Sequence, residues 1–115
     1  MHELAVTESI LEIALRHAKS AEARQVTALY LVIGDLASII DDSVQFYWDI
    51  IAKDTIAEGA HLNFRRIPIQ MQCLSCQVQF FPTDNDFTCP DCASSRVKIL
   101  SGEEFFLEAI DIQSP

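Results

Sequence analysis

The sequence predicts an α+β protein: a small mixed three-stranded sheet with two helices, plus a four-cysteine module inserted before the last strand. Two segments repeat apolar residues at three- and four-residue steps, the spacing of a helix with one buried face. Three others alternate, or are dense in β-branched and aromatic residues, as strands are. The cysteines stand between the last two strand segments, so the final strand must return to a sheet begun earlier.

The first helix is predicted from Leu4 to about Lys19, where Val6, Ile10 and Ile13 form a stripe with Leu11, Leu15 and Ala18 beside it. Glu8, Glu12, Arg16 and Lys19 fall on the wet side. A strand follows over Gln25 to Ile33, apolar on both faces and therefore central, and Gly34-Asp35 ends it. Asp41-Asp42-Ser43 opens the second helix, with Asp42 and Gln45 spaced as a capping box. Its stripe of Val44, Tyr47, Trp48 and Ile51, widened by Phe46 and Ile50, is broad enough to belong wholly in a core. His61 to Ile67 alternates and breaks at Pro68, and Phe105 to Ile112 alternates again. Pro68 and Ser101-Gly102 bracket the module, giving residues 1–68 with 102–115 as one domain and 69–101 as the other.

Composition narrows the function. Seventeen acidic residues against 8 basic ones leave a net charge of −9. Such a surface repels phosphate backbones and anionic lipid, so neither nucleic acid nor membrane is expected as a partner. No secretion-type leader or long apolar run is visible, and the expected location is the cytoplasm, where thiols stay reduced.

Cys73, Cys76, Cys89 and Cys92 give the spacing C-x2-C-x12-C-x2-C. Two residues between ligands let a tight turn aim both sulfurs at one ion, and two such turns complete the tetrahedral thiolate shell that Zn(II) favours. A closed shell leaves no open position for catalysis, and neither pair sits at the strand-to-helix junction of a redox dithiol. The module therefore reads as a zinc-ribbon domain with a structural ion. The residue after the second cysteine of each turn tends to be left-handed, which glycine tolerates best, yet Gln77 and Ala93 stand there.

Met1-His2-Glu3 is the second candidate site. A histidine in second position can offer an α-amino nitrogen, its own amide nitrogen and its imidazole, a planar set suited to Ni(II) or Cu(II). The Glu3 amide or carboxylate is a candidate fourth ligand. Elsewhere, His17 reads as a helix-end histidine, His61 as solvated and Met71 as packing. No catalytic triad or glycine-rich phosphate loop appears, so an enzyme is not expected.

The segments Met1-His2-Glu3-Leu4, Ile33-Gly34-Asp35-Leu36, Thr55-Ile56-Ala57-Glu58-Gly59-Ala60, both cysteine pairs and Gly102-Glu103-Glu104-Phe105 occur in one order along the chain. In this the sequence resembles the HypA family of nickel metallochaperones for nickel–iron hydrogenase. The resemblance implies Ni(II) held transiently at His2, with Met1 and Glu3 as further candidates, and structural Zn(II) at the four cysteines. It implies the HypB GTPase and the hydrogenase large subunit as partners, with urease served in some members. A strand that returns after an insertion is compatible with exchange between protomers, which would give a homodimer. Three residues depart from the family pattern: Gln77, Ala93, and Asp54 where a glycine often precedes the threonine. The competing reading is a zinc-ribbon module for protein or nucleic-acid interaction, weakened by the charge and by having only Arg96 and Lys98 as nearby cations.

Overall fold

The computed structural model describes residues 3–114. Met1 and His2, and with them the centre of the predicted nickel site, lie outside the described residues, as does Pro115. The elements run α1 (Glu3–Ser20), β1 (Gln25–Gly34), α2 (Asp41–Ile51), β2 (His61–Ile67), β3 (Gln70–Cys73), β4 (Gln79–Phe80), β5 (Val97–Ser101) and β6 (Phe105–Gln113). They form two three-stranded sheets, ordered β2-β1-β6 and β4-β3-β5. The chain divides into two compact units: residues 1–32, 38–65 and 106–115, and residues 33–37 with 66–105.

In the first unit α1 packs on α2. The buried face of α1 is Thr7, Ile10, Ala14 and Ala18, small enough at its last two positions to let the helix lie close. Thr7 Oγ1 satisfies itself by donating to the Glu3 carbonyl. The helix ends with Glu22 at φ 53, the Glu22 N–H on Lys19 O at 3.0 Å and the Ala23 N–H on Ala18 O at 2.9 Å. This is a Schellman termination without its usual glycine.

The central strand is β1, whose Val26, Leu29, Leu31, Val32 and Ile33 are all buried. Its two neighbours run in opposite senses, so the sheet is mixed as expected. Arg24 N–H meets Gln113 O and Gly34 N–H meets Glu104 O, an antiparallel progression along β6. On the other side Asn63 Nδ2 donates to Leu29 O and Asp35 N–H to Ile67 O, a parallel progression along β2. Tyr30 donates its phenol to Asp111 Oδ2 at 2.7 Å, and the carboxylate beside it raises the Tyr30 pKa above the ordinary value.

Two expectations for α2 are corrected. Ile40 occupies the N-cap with no side-chain cap, and Gln45 bonds forward to Asp49 instead of closing a box with Asp42. The Ile40 carbonyl takes the Ser43 and Val44 N–H groups instead. The apolar stripe is also wider than the core: Val44 and Trp48 are buried, but Phe46 and Ile50 are 61% and 56% exposed. A helix on a one-sheet core has about a 100° face to bury, and these residues fall beyond it.

The segment after α2 is a compact series of turns. Thr55 Oγ1 donates to Ala52 O and accepts the Ala57 N–H, while Val26 N–H reaches Ile56 O at 2.9 Å. Ala57 and Ala60 are buried. Asp54 adopts φ 66, the left-handed geometry for which glycine is the easier residue. No helix among the described residues is long and apolar enough to cross a membrane.

Candidate metal centre

The second unit is built on β3, which pairs antiparallel with β4 and with β5. Met71 and Cys73 point to its buried face, where Phe80 and Cys89 complete a small core and Ile69, Val78, Phe87 and Val97 pack around it. Two cysteines are thus part of this core, while Cys76 and Cys92 are exposed. The first cysteine turn closes a hairpin of β3 and β4; between the two pairs lies the isolated bridge Thr83–Asp86, and Phe81 is exposed. The strands β3 and β5 were not anticipated. The alternation in Gln70-Met71-Gln72-Cys73 was the available signal, obscured because its second apolar position is a cysteine.

Both cysteine turns have the same construction. Gln77 N–H donates to Cys73 O at 3.0 Å, and Ala93 N–H to Cys89 O at 2.9 Å. The chain then reverses through a left-handed residue, Gln77 at φ 71 and Ala93 at φ 62. These are the positions where the sequence lacks glycine. Each turn is tied off by a backbone bond in the reverse direction, Cys73 N–H to Val78 O and Cys89 N–H to Ser94 O. The Ser75 and Ser94 hydroxyls meet across the two turns at 3.1 Å, a contact with no sequence signal.

All four sulfurs lie within 4.8 Å of one another. Cys73 and Cys92 are 3.5 Å apart, and Cys76 and Cys89 are 3.6 Å apart. Thiolates bonded at about 2.3 Å to one tetrahedral ion sit about 3.8 Å from each other, so the donor set fits such an ion with little adjustment. Electrostatics in the metal-free cluster are uneven. Cys73 is held down to about 6 by the Cys76 N–H against the opposing effect of burial, with help from the Ser75 N–H and neighbouring thiols. Cys76 receives the Val78 N–H, yet burial and the surrounding Cys89, Cys73 and Cys92 sulfurs push it up to about 12. Four thiols this close cannot all ionise without a cation, and backbone donors select Cys73 as the first.

The other candidates are dispersed. His17 and His61 are exposed, and the four cysteines are the one metal-capable cluster found among the described residues. Met71 is buried in the β3 core. Glu3 starts α1.

Within this unit two of the sequence motifs meet. Gly34-Asp35-Leu36 and Gly102-Glu103-Glu104 lie against each other, with Gly34 N–H on Glu104 O and Leu36 N–H on Gly102 O, both at 2.7 Å. Asp35 N–H reaches Ile67 O at 2.9 Å, and Gly102 N–H is taken by Glu104 Oε1 at 2.8 Å.

A two-helix, mixed-sheet unit joined to a closed four-sulfur module defines a small metal-binding protein, with a thiolate centre suited to holding an ion rather than reacting through it. The chain matches, over residues 1–112, the family described as hydrogenase/urease nickel incorporation, metallochaperone, hypA, and it belongs to that family. It is 40% identical over 112 residues to the hydrogenase maturation factor HypA of Dehalococcoides mccartyi, covering 97% of this chain and 94% of that one. It is 37% identical over 114 residues to HypA of Caldanaerobacter subterraneus, covering 98% and 100%. The solution structure of the nickel metallochaperone HypA from Helicobacter pylori has the same fold, with a TM-score of 0.66 at 23% identity over the whole of both chains.

Proposed function

We propose that this chain carries Ni(II) as cargo, binding it at His2 and passing it on for hydrogenase maturation, while Zn(II) holds the second unit in shape. Family membership over nearly the whole chain carries the reading, and the chemistry of the two donor sets supports it. The four thiolates of Cys73, Cys76, Cys89 and Cys92 form a soft, closed set that would keep Zn(II). The His2 imidazole and amide, with the Met1 α-amino nitrogen and Glu3 as candidate partners, form a nitrogen-rich set that suits Ni(II). The protein then acts as a carrier and not an enzyme. Its partners are the HypB GTPase, the hydrogenase large subunit as acceptor and urease as a second destination, all in the cytoplasm. Residues 69–101 serve as the zinc-ribbon domain, and exchange of β6 between copies is the route to a homodimer.

Elemental analysis of purified protein, followed by Ni(II) titration of wild type and His2→Ala, tests this. One equivalent of zinc and a loss of roughly tenfold or more in nickel affinity for the variant are expected. Equal nickel affinity in the two proteins would remove His2 from the site.

A further inference from the structure

The first unit leaves an apolar groove uncovered between its two helices. One wall is α1, with Leu11 and Leu15 half-buried just beyond the core stripe of Ile10 and Ala14. The other is the C-terminal end of α2, which lines the groove with Ile51, the neighbour in sequence of the exposed Ile50. The open space is about 450 Å³, and its α1 rim consists of Glu8 and Glu12.

The walls decide what can bind there. Both are helices, whose interior backbone groups are already bonded within the helix, so the groove has no free strand edge on which an extended peptide could be added. What remains is side-chain packing on the α1 ridge of Leu11 and Leu15 beside Ile51, a surface on which a further helix can lie. The rim decides its charge. Glu8 and Glu12 line the groove of a chain whose net charge is −9, and neither forms an ion pair among the described residues. A second copy of this chain would bring the same two carboxylates to the contact, and an anionic membrane would add its own negative charge.

We infer that the groove between α1 and α2 is a docking site for a basic amphipathic helix of a partner protein. The partner helix places apolar residues at i and i+4 between Leu11, Leu15 and Ile51, over the platform of Ile50, and sets Lys or Arg opposite Glu8 and Glu12. No cysteine lines this groove, so it stands independently of the zinc assignment.

The test uses the zinc-loaded full chain and two labelled 18-residue helical peptides with the same leucine face, one flanked by lysine and the other by glutamate. Fluorescence anisotropy should show binding of the lysine peptide only. Affinity should fall about tenfold or more in Ile50→Glu and reverse its peptide preference in a Glu8→Lys, Glu12→Lys variant. Both variants alter exposed side chains, and far-UV circular dichroism checks that they are folded. Equal binding of the two peptides, or no change in Ile50→Glu, overturns the docking site. Concentration-dependent dimers in sedimentation equilibrium that disappear in Ile50→Glu would overturn the choice of occupant in favour of a second copy.

Discussion

Replacing Gly34 by alanine should destabilise the protein by about 3–5 kcal/mol, from overpacking and lost hydrogen bonds. A Cβ at this position would fall far inside contact distance of the Gly102 carbonyl carbon and oxygen, and 2.6 Å from Glu104 Oε1. The carboxylate could swing aside, but the Gly102 carbonyl cannot, because its oxygen accepts the Leu36 N–H. Forcing the two backbones apart costs roughly 1–3 kcal/mol as overpacking. It also breaks or stretches the Gly34–Glu104 and Leu36–Gly102 bonds, worth about 1 kcal/mol each. Gly59→Ala is the control: its φ of +78 is strained for alanine, but nothing lies within 4 Å of the added carbon. That change should cost only about 1–2 kcal/mol. Urea unfolding of zinc-saturated wild type and both variants measures the difference. If Gly34→Ala is no less stable than Gly59→Ala, the close approach of the two motifs is wrong.

Gln77→Gly and Ala93→Gly should each stabilise the zinc-loaded protein by about 0.5–1 kcal/mol, because the relief of left-handed strain exceeds the entropy that glycine adds to the unfolded chain. A higher midpoint in urea with unchanged slope is the expected signature, and a lower midpoint would contradict the turn geometry. Thiolate absorbance of the metal-free protein should titrate first near pH 6, from Cys73, with Cys76 still protonated well above the ordinary thiol range. The depressed Cys73 value means that its thiolate contribution is complete above the usual thiol pKa and is lost as the pH falls through about 6. Cys73 therefore adds its own proton competition to zinc binding only below about pH 6, where chelator competition should show the affinity falling more steeply. Arg65→Met should change stability by less than about 1 kcal/mol despite the 2.7 Å contact with Glu108, since both side chains are about half exposed. A larger loss, or one insensitive to salt, would show that the pair is shielded from water.

Periodicity alone was enough to find α1, β1, α2, β2 and β6, because each buries one face or both against a single core and so writes its period into the chain. It misjudged the edges of those faces. Phe46 and Ile50 continue the apolar pattern of α2 yet lie in water, since a hydrophobic stripe records which residues are apolar and not how much cover the fold provides. It also missed two short strands: β3, where the second buried position is the metal-ligand residue Cys73 and breaks the apolar pattern, and β5, which buries none of its residues fully and so shows no apolar face.

The four-cysteine centre was legible for a different reason. Ligand spacing within each pair is a local constraint, and even the strain at Gln77 and Ala93 could be read from the absence of glycine. What brings the two pairs together is not local. Sulfurs 13 and 19 positions apart in sequence converge to 3.6 and 3.5 Å because β3 carries Cys73 into a core that Cys89 also enters. The same holds for Gly34 and Gly102. Each could be read as a chain break, but that they break at the same place, backbone against backbone, depends on strands that meet only once the sheet has formed. Sequence determined the donor chemistry and the elements, both set by neighbours a few residues apart. Tertiary structure decided which surfaces were left uncovered and which glycines had no room for a side chain, because both depend on what the rest of the chain brings alongside.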